Sequence, residues 1–189
     1  MRKSRIEAAE TRQKIVALAA GEFRLNGIHE TGLQPLMSKA GLTHGGFYRH
    51  FDSKDQLVAE ACTLALQGLV DGFEAAAGAA GEEGFKAIVG GYLSAAHRDD
   101  RAGGCPLAGM GSELVRADRQ TRQAAAQGFH DLVEVMAKNM DHQQPAAARS
   151  QAVFAMAAML GAVTISRIIA DPQASMSVLQ DVKQHLNAM

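Results

Sequence analysis

The stretch Ala40-Gly41-Leu42-Thr43-His44-Gly45-Gly46-Phe47-Tyr48-Arg49-His50-Phe51-Asp52-Ser53-Lys54 decides the fold. Gly41 follows a short helical run and supplies the left-handed residue that ends a helix and turns the chain. Thr43 is a good N-cap for the helix predicted from Thr43 to Phe51. Within it Phe47 and Phe51 stand four apart and form a buried stripe, while His44, Tyr48 and Arg49 fall near one polar face. Ser53 caps the next helix, which starts at Lys54. Two short helices joined by a tight turn are the parts of a helix-turn-helix.

Upstream, Ile15, Leu18, Ala19, Glu22 and Phe23 trace the stripe of a first helix over Ala8 to Asn26, closed by Asn26-Gly27. Thr31 is placed to cap a second helix, Leu33 to Ala40, with Pro35 in its first turn. Residues 1–8 read as a basic arm. Downstream, helical periodicity predicts a fourth helix from Lys54 to about Ala77 and a glycine-rich break over 75–84. Further helices are predicted over Glu83 to Arg98, Cys105 to Val115, Arg119 to Met140, Pro145 to Ala170 and Ser175 to Leu186. The fold class is therefore all-α with about nine helices. An N-terminal helix-turn-helix unit over 1–53 is followed by a helical unit over 54–189.

The order Gly-Leu-Thr-x-Gly-x-Phe-Tyr-x-His-Phe-x-Ser-Lys-x-x-Leu over residues 41–57 resembles the recognition signature of the TetR family of bacterial transcriptional regulators. Phe23, Gly27 and Thr31 stand where that family has a phenylalanine, a glycine and a helix-capping threonine. The close match covers about residues 10–60; beyond it only the architecture carries over. Gly32, Pro35 and Met37 depart from the family's usual residues in helix 2. This leaves Gln34 as the candidate there for a contact to the DNA backbone. The resemblance implies a dimeric repressor on a palindromic DNA operator, with dimer contacts on the last two helices and a ligand cavity among the C-terminal ones.

Charge agrees with a DNA-facing N-terminus. Residues 1–54 hold nine Lys/Arg against five Asp/Glu, and residues 55–189 hold ten against fifteen. A basic third on a near-neutral chain points to a polyanionic partner. A recognition helix presents its first residues to base edges in the major groove, here Thr43, His44, Gly45 and Gly46. His44 can donate to guanine, and Arg49 can read guanine or hold a phosphate. Tyr48 offers a ring to a thymine methyl and a hydroxyl to a phosphate oxygen. His50 and Lys54 read as phosphate contacts, the alternative for His50 being a packed histidine. Thr31, the family's capping threonine, completes the DNA-facing set. The glycine pair would let backbone approach DNA closely, or would leave a weakly formed turn.

Helix 8 carries more apolar residues than one core face needs, including Phe154, Met159, Ile165 and Ile168. With the Val178, Leu179, Val182 and Leu186 stripe of helix 9, it is the expected homodimer seam. Phe73, Phe85, Tyr92, Met110, Phe129, Met136 and Phe154 are the candidates for lining a cavity for an apolar effector. Ordinary packing is the alternative for each. Cys105, at the start of a short helix with Arg98 and Arg101 close in sequence, is a candidate sensor of electrophiles or oxidants. Helix N-termini and arginines lower a thiol's pKa; an inert buried thiol is the other reading.

No nucleotide loop, paired-histidine helix or nucleophile elbow occurs, so an enzyme is not expected, and no cofactor is implied. His97, His130 and Cys105 lack metal-site spacing. Two cysteines make no disulfide framework, and no signal peptide is evident, so a cytoplasmic protein is expected. The apolar stretch Ala152 to Ala170 is interrupted by Thr164, Ser166 and Arg167, so no membrane span is expected. A helical scaffold without specific DNA recognition, or an activator of the same fold, are the competing functions.

Overall fold

The computed structural model describes residues 5–140 and 144–189; Met1 to Ser4 of the expected basic arm lie outside the described residues. Over the described residues the protein is all-helical. Its elements are α1 (Arg5–Asn26), α2 (Leu33–Lys39), a 3-10 helix (His44–Arg49), α3 (Lys54–Ala80), a 3-10 turn (Gly81–Glu83), α4 (Gly84–Tyr92), α5 (Ala95–Asp99), α6 (Pro106–Leu114), α7 (Arg119–Lys138), α8 (Pro145–Ile168) and α9 (Pro172–Asn187).

Most boundaries follow from local chemistry. Gly27 and Gly41 adopt φ of 89° and 77°, the region that terminates α1 and α2 without a Cβ penalty. The Ser53 hydroxyl accepts from the Gln56 N–H at the start of α3. The Asp118 carboxylate accepts from the Gln120 and Thr121 N–H groups at the start of α7. Asp171 caps α9 through the Ala174 N–H, so Asp171-Pro172 opens α9 as well as ending α8.

Four expectations need correction. Thr31 does not cap α2: its buried hydroxyl donates to the Gly27 carbonyl at 2.7 Å and ties the α1 end to the α2 start, leaving Gly32 as N-cap. Thr43 occupies the N-cap position of the following helix but makes no side-chain cap. That helix is 3-10, because Gly45-Gly46 in so short a segment supplies little α propensity. The expected fifth helix is two, α4 and α5, broken at Leu93 where the Ser94 hydroxyl starts a new cap on His97.

One contiguous core runs through the molecule, from Ile15 and Phe23 of α1 through Leu57 and Leu66 of α3 to Met136, Met156 and Leu179. α3 packs on α1 and, most extensively, on α7. Gly128 makes that approach possible. A Cβ there would lie 2.5 Å from Leu66 Cδ1 and 2.6 Å from its Cβ. Gly128→Val is therefore expected to destabilise the fold by about 1–3 kcal/mol through overpacking, measured by urea unfolding. An unchanged midpoint would contradict the α3–α7 packing.

By length and composition α8 would pass as a membrane span, as the core helix of a water-soluble protein also can. The Thr164 and Ser166 hydroxyls donate to the Leu160 and Val163 carbonyls of their own helix, which masks their polarity. In the fold α8 lies against α7 and α9, and Arg149 near its start pairs with Glu134 of α7.

Candidate nucleic-acid interface

The 3-10 helix is built as a polar face on an aromatic anchor. Phe47 is wholly buried and stacks on Phe51 with ring centroids 5.3 Å apart. The adjacent Tyr48 is 62% exposed and meets Phe47 and His44 edge-on. Thr43, His44, Gly45 and Arg49 are exposed with it, while Gly46 and His50 are half-buried. The N-terminal candidates thus share one solvent face, and Gln34 is exposed on neighbouring α2.

Two candidates already carry structural bonds. Thr31 is turned inward. Lys54 is half-buried, and its ammonium donates to the Ile28 carbonyl at 2.5 Å. Lys54 therefore braces the α1–α2 turn, and an ammonium retains further donors beyond that bond.

Residues not singled out from the sequence hold this face in place. The Arg12 guanidinium forms a bidentate pair with Glu60, donates from Nε to the His50 carbonyl at 3.1 Å and lies over the Phe51 ring at 4.5 Å. α1, the 3-10 helix and α3 are so locked together by one fork-shaped cation. Glu113 of α6 accepts from the Ile28 and His29 N–H groups, both at 3.0 Å, and so caps the α1–α2 turn. Periodicity shows neither partnership, since each joins residues far apart in sequence.

Around Cys105 the structure favours the second reading, a buried thiol. The thiol is fully buried at the N-cap of α6. Burial raises its pKa, outweighing the Tyr92 hydroxyl, the Ala108 and Leu107 N–H groups and the Arg167 charge, which act the other way. Arg98 instead pairs with Asp99, and Arg101 donates to the Leu25 carbonyl. Burial likewise pushes the Cys62 thiol up to about 11. The Cys105 N–H donates to His97 Nε2 at 3.0 Å, and His97 Nδ1 lies 2.7 Å from the Tyr92 carbonyl. An Nε2 that accepts must be unprotonated, which assigns the proton to Nδ1 and makes the ring neutral. Burial lowers the His97 pKa in the same sense.

These shifts set a pH window. Below the unfolded histidine value of about 6.5, the unfolded chain binds a proton that native His97 resists, so stability falls as pH falls. Above pH 9 the unfolded Cys62 thiol ionises while the native one does not, so stability falls again as pH rises towards 11. Urea midpoints are expected to be flat between these limits. In Cys62→Ala the alkaline decline should shrink, and an identical decline in that variant would contradict the assignment.

The expected apolar cavity set is mostly packed core. Phe73, Phe85, Tyr92, Met110 and Met136 are buried, Phe129 is half-buried and Phe154 points outward, 63% exposed. Among five clefts of about 390 to 700 Å³, only Phe85 of this set lines one. Phe154 instead joins Ala157, Gly161, Ile165 and Ile168 in a solvent-facing stripe along α8, a spacing that keeps them on one helix face. Among the described residues no three His, Cys, Asp or Glu side chains gather as a metal site.

Residues 15–61 match the sequence profile described as bacterial regulatory proteins, tetR family, and residues 82–185 match that of the transcriptional regulator LmrA/YxaF-like C-terminal domain. The chain is 39% identical over 54 residues to the HTH-type transcriptional repressor BepR of Brucella suis, covering 29% of this chain and 26% of that protein. Alignments with the leading curated relatives span less than a third of their length. The reduced form of Escherichia coli NemR superposes with a TM-score of 0.79 at 17% identity, over 95% of this chain and 96% of that one. A TetR transcriptional regulator from Chloroflexus aurantiacus superposes with a TM-score of 0.77 at 26% identity, over 95% and 93% of the two chains.

Proposed function

Because the chain belongs to the TetR family of bacterial transcriptional regulators, we propose that it is a cytoplasmic, homodimeric repressor that binds a palindromic operator and is released by a small effector. The observation that carries this reading is the division of labour in the 3-10 helix. Phe47 and Phe51 are spent on the core, which leaves Thr43, His44, Tyr48 and Arg49 on one exposed face. Such a face can enter a major groove, with Gly45 and Gly46 removing side-chain bulk where backbone nears DNA. Lys54, His50 and Gln34 lie beside it as backbone contacts, and residues 1–53 form the reading unit with 54–189 as the regulatory one. Repression is the sense suggested by relatives named as repressors.

Dimerisation rests on the α8 stripe. Phe154, Ile165 and Ile168 are 63%, 48% and 71% exposed, a contiguous apolar face that a soluble chain covers. Ala157 and Gly161 between them allow close helix approach. Release by modification of Cys105 would first require its loop to open, since the thiol is buried and neutral; non-covalent effector binding needs no such step.

Selection from random DNA by the full chain tests the reading. The enriched pool should contain an inverted repeat. Tyr48→Ala, which removes an exposed side chain, should keep the thermal midpoint and bind all members of the pool about tenfold more weakly. No enrichment at low salt, or a Tyr48→Ala protein that binds as the wild type does, would overturn it.

A further inference from the structure

Four arginines from three parts of the chain line one cleft of about 600 Å³ between the reading unit and the helices behind it. Arg24 comes from α1, Arg98 and Arg101 from α5 and the loop after it, and Arg167 from the end of α8. The cleft has an apolar side made by Ile168, Ile169 and Pro172. Its size suits a small organic molecule.

Arg98 is engaged on all sides, its Nε and Nη2 by the Asp99 carboxylate and its Nη1 by the Ser175 hydroxyl; the other three arginines are held by backbone on one side and left open on the other. Arg24 donates from Nε to the Ala20 carbonyl and from Nη1 to the Gly103 and Gly104 carbonyls at 3.1 and 3.0 Å. Arg167 donates from Nε to the Arg98 carbonyl and from Nη2 to the His97 carbonyl. Arg101 uses only Nη2, on the Leu25 carbonyl at 3.3 Å. Among the described residues, Arg24 Nη2, Arg167 Nη1 and Arg101 Nε and Nη1 have no protein acceptor. Two carboxylates lie near. Asp99 is engaged by Arg98, and Asp100 accepts from the Gly103 N–H. Positive charge is therefore in excess over carboxylate, partly desolvated, and pre-oriented by carbonyls that cannot neutralise it. Burial lowers the Arg24 and Arg167 pKa values, and the Arg101 charge adds to the effect at Arg167.

We infer that this cleft binds a small organic anion, a carboxylate or phosphate head on an apolar body, and that this anion is an effector of DNA binding. The open guanidinium nitrogens suit bidentate recognition of such a head, and Ile168, Ile169 and Pro172 take the body. The link to DNA is direct. Arg24 belongs to α1, and Arg101 holds the α1 C-terminal end at Leu25 just before the turn that Glu113 caps. An anion on the open nitrogens pulls on the same Arg24 and Arg101 guanidinium groups that hold the Gly103, Gly104 and Leu25 carbonyls, so its binding favours a different seating of α1 on α6. Ile168 lies both on the cleft wall and on the α8 stripe, so occupancy also bears on the proposed dimer seam.

The effector role rests on the regulator reading; the binding itself does not. Isothermal titration of the full chain with phenyl phosphate, benzoate and neutral benzamide tests the site. The two anions should bind one per chain, and benzamide should not bind over the same concentration range. Arg101→Gln, a change at an exposed residue with one long carbonyl contact, should weaken both anions about tenfold without lowering the thermal midpoint. Arg24→Lys should weaken them by losing the fork. On operator DNA, phenyl phosphate should lower wild-type affinity and leave Arg101→Gln less affected. Absence of heat with both anions, equal binding of benzamide, or unchanged affinity in Arg101→Gln would overturn the site. Anion binding that leaves operator affinity unaltered would overturn the effector role. A chain that binds no DNA but still binds the anions would fail the regulator reading alone.

Discussion

Phe47→Ala should lose about 3–5 kcal/mol of stability, the usual cost of emptying a fully buried aromatic site. Native domains hold only about 5–15 kcal/mol, so the thermal midpoint should fall on the order of 10 °C. The side chain has no exposed surface, stacks on Phe51 and supports Tyr48 edge-on. Its carbonyl also accepts from the His50 and Phe51 N–H groups. Removing the ring leaves a short glycine-containing 3-10 helix with nothing to hold its polar face, so DNA binding should be lost together with stability. Phe47→Leu, which keeps most of the volume, should retain much of both. The contrast with Tyr48→Ala is the informative part: two adjacent aromatics, one altering fold and function together, the other function alone. Calorimetric unfolding of the three variants reads this directly. A loss below about 1 kcal/mol in Phe47→Ala would mean the aromatic anchor is not what supports the face.

The second large effect concerns assembly. Phe154→Glu places a carboxylate at the N-terminal end of the α8 stripe, and in the proposed two-fold dimer a second one enters the same seam from the partner. Burying two like charges without partners is unfavourable enough to separate the chains. Light scattering after size exclusion should report a monomer. Because Phe154 is 63% exposed within one chain, the helix content should survive. Affinity for an intact palindrome should fall at least about a hundredfold, since the second reading head is no longer delivered at high effective concentration. A Phe154→Glu protein that remains dimeric would move the seam elsewhere.

Much of the fold was legible because it is written in local signals. Gly27 and Gly41 end helices where left-handed backbone is required, Ser53 starts one, and prolines 106, 145 and 172 stand at first turns. The exposed polar face around Tyr48 was legible for the same reason, the spacing of Phe47 and Phe51 fixing which neighbours turn outward. Ser94 was a readable cap, but the apolar run through Leu93 hid the break between α4 and α5. Tertiary polar contacts were not legible. Arg12 with Glu60, Glu113 on the Ile28 and His29 N–H groups, and the four arginines of the cleft come from distant parts of the chain. Of the two readings of Cys105, burial favours the packed thiol over the sensor. The helix N-terminus the sensor reading relied on exists, but desolvation, which sequence spacing does not report, outweighs it.

Arg12 and Glu113 also link the C-terminal helices to the proposed reading face. Arg12 joins α1 and the 3-10 helix to α3, and Glu113 joins α6 to the α1–α2 turn. Any effector that reseats α3 or α6 therefore acts on two ends of the same small unit, and a coupling of about 1–3 kcal/mol is enough for a regulatory response.

The central claim is that two reading faces act together on one DNA site. Its most direct test is a fluorescence-anisotropy titration of the full chain on the selected inverted repeat and on the same duplex with one half-site scrambled, with the stoichiometry of each complex measured. Two chains per intact duplex, and a loss of at least about a hundredfold on the scrambled one, is the predicted result. One chain per duplex with equal affinity for both DNAs would contradict the account.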